Sequence, residues 1–317
     1  MKKYFALGLL ALLVQTTAAL AAEKLTFATA VKVYSVYYLP VLAAEEGGFW
    51  KENDLAVELV PFQGGGPMHQ AIAAGSINIG IDMPSASFQA VARGIPVVFV
   101  SDLYTTDDFT VWVRGDSRLK EPQDLKGAKI GVARYGGAEH AYARAVVKAL
   151  GIEKEAKHLA MGVIGQALAG LKTGSIDAVV MPPEIMIMLK VKAEARELLA
   201  VADYLPKEWV GSVIFSTKGM VKTKTDSVRR VVRAVLQATD FIRKNPAWAM
   251  EKMKSLSAYS DEAAKIIYAR EAQRFTKDGK ISKAGLENVK NFLIQYDIIP
   301  KEQAPSIDEV LVTEFTS

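Results

Sequence analysis

The 317-residue chain has no cysteine. That excludes disulfides, thiol nucleophiles and cysteine-based metal sites, and it leaves core packing alone to hold the fold. Histidine is scarce: His69, His140 and His158 are the only three, and no two of them stand at a metal-ligand spacing. His69 and His158 read as ordinary helix and strand residues, whereas His140 follows a candidate loop and is kept as a contact candidate. No serine sits in a Gly-x-Ser-x-Gly elbow, and no Gly-Lys-[Ser/Thr] follows a glycine-rich turn as in a phosphate loop. The adjacent pair Asp107-Asp108 would point apart in a strand and reads as a solvated turn. No catalytic residue, metal or cofactor is therefore expected. An excess of basic charge is also missing. Net charge is +4 and falls to +2 without Lys2 and Lys3, too near balance for a nucleic-acid partner.

Long apolar runs are missing too. Phe5 to Val14 is apolar but too short to span a bilayer, and no later run reaches the roughly 18 residues needed. Preceded by Lys2 and Lys3 and followed by Ala19-Leu20-Ala21, it reads as a secretory signal, residues 1–21, with the mature chain starting near Ala22. The expectation is a soluble exported protein, and the lack of a cysteine for a lipid anchor fits a free periplasmic one.

Half of the residues are hydrophobic, enough for a sizeable core. Lys24 to Ala30 and Leu55 to Phe62 alternate as strands. A helix runs to about Glu46 and stops at Gly47-Gly48. Gln63-Gly64-Gly65-Gly66-Pro67 is a sharp turn into a helix expected from Met68 to Ala74. Ile77 to Ile81 is a short buried strand, Pro84 opens another helix, and Val97 to Ser101 is a fourth strand. Alternating strands and helices predict a parallel sheet with helices on both faces. The pattern restarts at Lys129 to Ala133 after a strand at Phe109 to Arg114.

One unit is written twice. HQAIAAGSINIGIDMPSA, His69 to Ala86, and LAGLKTGSIDAVVMPPEI, Leu168 to Ile185, lie ninety-nine positions apart. Both read as a helix ended by glycine, a strand covered on both faces and a proline turn. Two similar α/β lobes follow. Beyond Gly211 to Phe215 the chain turns helical, with Val228, Val231, Val232 and Val235 on one helix face. These helices read as packing elements around the first lobe.

Ligands of open parallel sheets bind beyond the carboxyl ends of the strands. In the first lobe that rule selects Val33, Tyr34, Ser35 and Tyr37, then Gln63, Gly64, Gly65 and Gly66, then Asp82, Pro84 and Ser85. In the second it selects Arg134, Tyr135, Gly136 and Gly137, then Met161 and Gly162, then Glu184. Each loop feeds a helix start, whose free N–H groups favour an anion or other acceptor. Arg134 suits a carboxylate or sulfonate. Glu184 suits an amine or ring N–H, and the tyrosines suit a ring.

Four stretches resemble one family. They are AAEEGGFWKENDLAVELVPFQGG from Ala43, AIAAGSINIG from Ala71, DSRLKEPQDLKGAKIG from Asp116, and the run from Leu168 to Val180. They are similar to the nitrate/sulfonate/taurine and thiamine-precursor family of periplasmic substrate-binding proteins of ABC transporters, over most of the chain to about Pro246. Asn53-Asp54-Leu55 departs from it, where the family often has Gly before Leu. The resemblance implies a bilobal periplasmic-binding-protein fold of type II: two parallel-core α/β lobes, a two-strand hinge and a helical C-terminal part. Crossovers are expected near Phe109 to Gly115 and Gly211 to Phe215. Residues 22–112 with 213–317 would form the first lobe and 113–212 the second. It further implies a monomer that closes on a small solute and delivers it to a permease and ATPase at the inner membrane. The lead ligand is a sulfonate- or taurine-like organic anion. The alternatives are a thiamine pyrimidine precursor or other N-heterocycle, and a sensor subunit in place of a transport component. The fungal thiamine-pyrimidine synthases of this family resemble suicide enzymes that use a Cys-rich motif, which this chain lacks.

Overall fold

The computed structural model describes residues 23–30, 39–62 and 64–316. The chain opens with β1 (Glu23–Thr29), α1 (Leu39–Glu46), α2 (Phe49–Glu52), β2 (Leu55–Pro61), α3 (Gly65–Ala73), β3 (Ile79–Asp82), α4 (Pro84–Val91) and β4 (Val97–Tyr104). It crosses over to β5 (Thr110–Arg114), β6 (Lys129–Val132), α5 (Ala138–Ala149), β7 (Lys157–Ala160), α6 (Ile164–Thr173), β8 (Ala178–Met181), α7 (Pro183–Val191) and β9 (Ala195–Ala200). It then returns through β10 (Ser212–Thr217), α8 (Lys218–Thr223), α9 (Thr225–Lys244), α10 (Pro246–Ser257), α11 (Asp261–Arg274), α12 (Lys283–Gln295) and α13 (Ile307–Val310).

Two five-stranded sheets result, ordered β2-β1-β3-β10-β4 and β7-β6-β8-β5-β9. In each, the strands joined by helices are parallel. One strand per sheet, β10 or β5, runs antiparallel to both its neighbours. The parallel core expected from the strand–helix alternation is present in both sheets. The antiparallel strands are the two that follow a crossover: a chain arriving from the other sheet enters at the carboxyl ends of the parallel strands and so runs backwards, between β3 and β4 or between β8 and β9. β4 is buried along its whole length, as a strand covered by helices on both faces must be. Val228, Val231, Val232 and Val235 do line the buried face of α9, with Arg233 and Asp240 outward.

The repeated unit keeps its register through the fold. β3 at 79–82 and β8 at 178–181 are offset by the same ninety-nine residues. Gly75 and Gly174 are both left-handed, at φ 75° and 76°, which a side chain would strain. Ser76 Oγ donates to the Ala71 carbonyl at 2.9 Å, and Ser175 Oγ donates to the matching Gly170 carbonyl at 3.2 Å. The first helix of the unit differs from expectation. α3 begins at Gly65, not Met68, because the glycines join the first turn.

The crossovers run through residues 105–109 and 201–211. The strand Thr110–Arg114 pairs with β8 and β9, so a division at 112/113 would cut a strand of the second sheet, and the passage lies earlier. The two crossover segments touch: Val201 N donates to Phe109 O at 2.9 Å and Gly211 N to Tyr104 O at 2.8 Å. A Cβ at Gly211 would stand 2.2 Å from Thr106 O, so only glycine fits there.

The helices α11 and α12 do more than wrap the first lobe. α11 packs on α7, and Phe292 of α12 stacks at 5.4 Å on Tyr142 of α5. The sequence placed them against the first lobe alone because each shows a single apolar face, without naming what covers it.

Candidate ligand cleft

Strand direction sets where the tips point. Asp82, the last residue of β3, pairs with Val213 near the start of β10, and Met181, the last of β8, pairs with Thr110, the first of β5. Both crossovers therefore meet both sheets at the carboxyl ends of the parallel strands. The two sets of tips face one another across the crossovers. Two surface depressions of about 620 and 390 Å³ are lined by Lys24 to Thr26. They lie at the opposite edge, where β1 begins, and are not part of this arrangement.

Among the helices whose N-cap is described, five start at the tips: α3, α4, α5, α6 and α7. Their N-cap residues are Gly64, Met83, Gly137, Val163 and Pro182, and none makes a side-chain cap. By contrast α8, α11 and α12 are capped by Thr217, Ser260 and Ser282. The first-turn N–H groups at the tips are thus left for something other than a cap.

Val33, Tyr34, Ser35, Tyr37 and Gln63 lie outside the described residues. The remaining candidates divide by what they touch. Gly64, at φ 96°, donates its N–H to Ala30 O at 2.8 Å, and a Cβ at Gly65 would lie 3.5 Å from that of Ala86. The glycine turn and the Pro84–Ser85 helix start are therefore neighbours. Asp82 is turned inward and only 4 % exposed. Its Oδ2 lies 2.8 Å from His69 Nε2 and accepts from Ser87 Oγ at 2.6 Å. His69, read as an ordinary helix residue, is thus a buried partner of a strand-tip carboxylate. Sequence offered one signal, a histidine four residues after the glycine that opens α3, which places both on one helix face. The hydroxyl bonds the carboxylate and not the imidazole, so this is no nucleophile–base relay.

In the second lobe, Arg134 is exposed and forms no ion pair among the described residues. Tyr135 is 59 % exposed yet held, its hydroxyl donating to His158 O at 3.0 Å. Gly136 N donates to His140 Nδ1 at 3.0 Å, and the His140 and His158 rings meet at right angles, 5.0 Å apart. Burial, reinforced by its histidine neighbour, pushes His158 down to about 4. Gly137 is buried and Gly162 is left-handed at φ 74°. Met161 faces inward: a Cβ at Gly170 would lie 2.7 Å from its Cε. It packs the core under the loop. Val163 and Ile164 beside it are, with Tyr135, the exposed large hydrophobic residues among those described.

Glu184 lies in the first turn of α7. Its carbonyl accepts from Tyr259 of the C-terminal part at 2.7 Å. Desolvation, then the neighbouring Glu271, pushes its carboxyl up to about 8. The Asp107–Asp108 pair does point apart, but it is no solvated turn. Asp107 is 5 % exposed and accepts from Tyr142 and, at 2.8 Å, from Trp209. Asp108 holds Arg270 at 2.6 Å. Polarity suggested solvent; both carboxylates instead found partners far along the chain.

A family model described as NMT1/THI5 like matches residues 35–249. A putative thiamine biosynthesis protein of Haemophilus influenzae is 26% identical over 66% of this chain and 66% of that protein, just under two thirds of its length. The 4-amino-5-hydroxymethyl-2-methylpyrimidine phosphate synthase THI11 of Saccharomyces cerevisiae is 23% identical over 67% of this chain and 66% of its own. The periplasmic aliphatic sulphonate binding protein SsuA of Escherichia coli superposes with a TM-score of 0.78 at 16% identity, over 92% of each chain. With two mixed sheets joined by paired crossovers and a family match over most of its length, the chain has the bilobal periplasmic-binding-protein fold and belongs to the NMT1/THI5-like family.

Proposed function

We propose that this chain is the periplasmic solute-binding component of an ABC importer and captures a small organic anion by lobe closure. Residues 1–21 direct export, the two sheets with their helices form the lobes, and the crossovers form the hinge. The carrying observation is the opposition of the two sets of strand tips with five uncapped helix starts among them. Such starts are ready acceptor sites, and Arg134, exposed at one tip, adds a cation. A solute touched by both lobes binds the closed form better and shifts the population toward it; a permease and ATPase then receive that form. Binding without turnover is supported by the His69–Asp82–Ser87 geometry and by the absence of cysteine chemistry.

A second reading on the ligand, a pyrimidine or other N-heterocycle, draws support from Glu184, an acid that forms no ion pair among the described residues and that burial and Glu271 raise to about 8. Native mass spectrometry of freshly purified protein, followed by calorimetry with taurine and 4-amino-5-hydroxymethyl-2-methylpyrimidine, tests both. Sub-micromolar binding of the pyrimidine with none of any sulfonate would overturn the anion assignment. A chain that retains and binds no solute would overturn the function.

A further inference from the structure

Helix α11 is rooted in the first lobe and reaches into the second. Its Ala263, Ala264 and Ile267 are buried in one core with Phe27 of β1 and Val98 of β4. Tyr268 donates its hydroxyl to Arg243 O of α9 at 3.2 Å, and just past the helix Thr276 N donates to Leu103 O of β4 at 2.9 Å. From that base Arg270 donates to both oxygens of Asp108, at 2.6 and 3.1 Å, and to Glu197 at 3.0 Å. Asp108 lies in the crossover, whereas Glu197 lies on β9 of the second sheet.

Among the described residues two ion pairs tie the span from β5 to β9 to the chain beyond β10. Arg144 stands 3.6 Å from Asp297, which is almost wholly exposed; such a pair is worth little. The Arg270–Glu197 pair is shorter, and each partner is only about a quarter exposed.

This second pair is arranged so that it can break without stranding a charge. If the second sheet swings away, Glu197 keeps Lys190 of α7, which is in its own lobe at 2.5 Å, and Arg270 keeps both bonds to Asp108. An ion pair lacking such alternatives leaves an uncompensated charge when it parts, at a large cost. Burial works against the Glu197 carboxylate, yet Lys190 and Arg270 hold it below its ordinary range, so the anion is present at neutral pH. Ile187 of α7 also packs into the first-lobe core. An angle between the lobes set by that apolar contact alone is the competing account, and salt does not screen it.

We propose that Arg270 and Glu197 form a salt-sensitive latch between the lobes, which holds them at the angle seen here and opens when they swing. The latch rests on the lobe-closure reading and adds to it a contact that sets the resting angle.

The chain has no cysteine, so Ala73→Cys and Lys172→Cys, at matched and exposed positions of the repeated unit, take two spin labels and no others. Double electron–electron resonance then reads the distance between the lobes with no solute present. Wild type is expected to give one main distance in low salt. Arg270→Met and Glu197→Gln should each raise the fraction of molecules at other distances about 5-fold, the weight of one partly solvated ion pair. Combining them should add nothing further, since both remove the same bond. High salt should move wild type toward the variants and leave the variants unchanged. A purely structural arginine would lower the urea midpoint and leave the distances alone. Should Arg270→Met fail to fold, Glu197→Gln, which leaves Arg270 on Asp108, still decides the matter. A folded Glu197→Gln whose distances match wild type, or a wild-type distribution indifferent to salt, would overturn the latch and assign the angle to apolar packing. Neither result touches solute binding, which calorimetry reads separately.

Discussion

The second lobe meets the C-terminal helices on two flanks built from opposite chemistry. On one, α5 meets α12 through rings. Tyr142 lies 4.9 Å from Phe109 and 5.4 Å from Phe292, Trp209 stands edge-on to Phe292 at 5.5 Å, and Arg144 covers Tyr296 at 5.1 Å. A single carboxyl, Asp107, sits inside. On the other, α7 meets α11 through charges. Arg270 bonds Asp108 at 2.6 Å and Glu197 of β9 at 3.0 Å, and Glu197 also holds Lys190 at 2.5 Å. Arg274 donates to Thr106 O in the crossover at 2.8 Å and to Glu271 at 2.8 Å. One helix thereby grips a crossover and the second sheet together. The aromatic flank is dispersion and buried area, insensitive to salt. The charged flank is about a quarter exposed at Arg270 and Glu197, and open to partial screening by salt there.

The aromatic flank should show the largest effect. Tyr142 is fully buried, and Tyr142→Ala should cost about 3–5 kcal/mol, as deletion of a large core ring does, read by urea unfolding. Tyr142→Phe keeps the ring and leaves Asp107 with Trp209 alone. It should cost about 1–3 kcal/mol, the desolvation of a carboxyl that has lost a donor.

Arg270→Met is expected to fall below the alanine variant, at roughly 1–3 kcal/mol, since its charged hydrogen bonds are partly solvated. Its distinguishing mark is salt. The gap between Arg270→Met and wild type should shrink in high salt, whereas the Tyr142→Ala gap should not. Equal salt dependence of both gaps would erase the contrast between the flanks.

How much of this was legible in sequence depended on range. The repeat, the strand tips and the crossovers are local or periodic features, and Gly75 and Gly174 announced two turns of one kind. The antiparallel course of β5 and β10 was not legible, because direction within a sheet follows from which end of the strands a crossover reaches. Asp82 was found by its place at a strand tip, but its inward turn toward His69 needed the packing of α3 on β3. Asp107 and Asp108 were misjudged for the same reason: Trp209 and Arg270, which bury them, stand more than a hundred residues away in sequence.

The smallest expected effect is a slope of stability with pH, and it sets one acid of each flank against the other. Burial raises Asp107 from 3.8 to about 6, partly offset by Tyr142 and Trp209. Burial and Glu271 raise Glu184 from 4.5 to about 8. A raised carboxyl binds its proton more strongly in the folded state, so its contribution is fully present below the unfolded pKa and is lost as pH rises through the folded one. For Asp107 that window is 3.8 to about 6, and for Glu184 it is 4.5 to about 8. Wild-type stability should therefore carry a downward component as pH rises across both. Asp107→Asn should remove the part confined to the lower window, and Glu184→Gln the part that continues to about 8. Asp102 in β4, raised to about 7 by burial, slopes all variants alike and cancels in the differences. A Glu184→Gln curve parallel to wild type between pH 6 and 8 would show that its carboxyl is ionised there, and that burial beside Glu271 does not hold its proton.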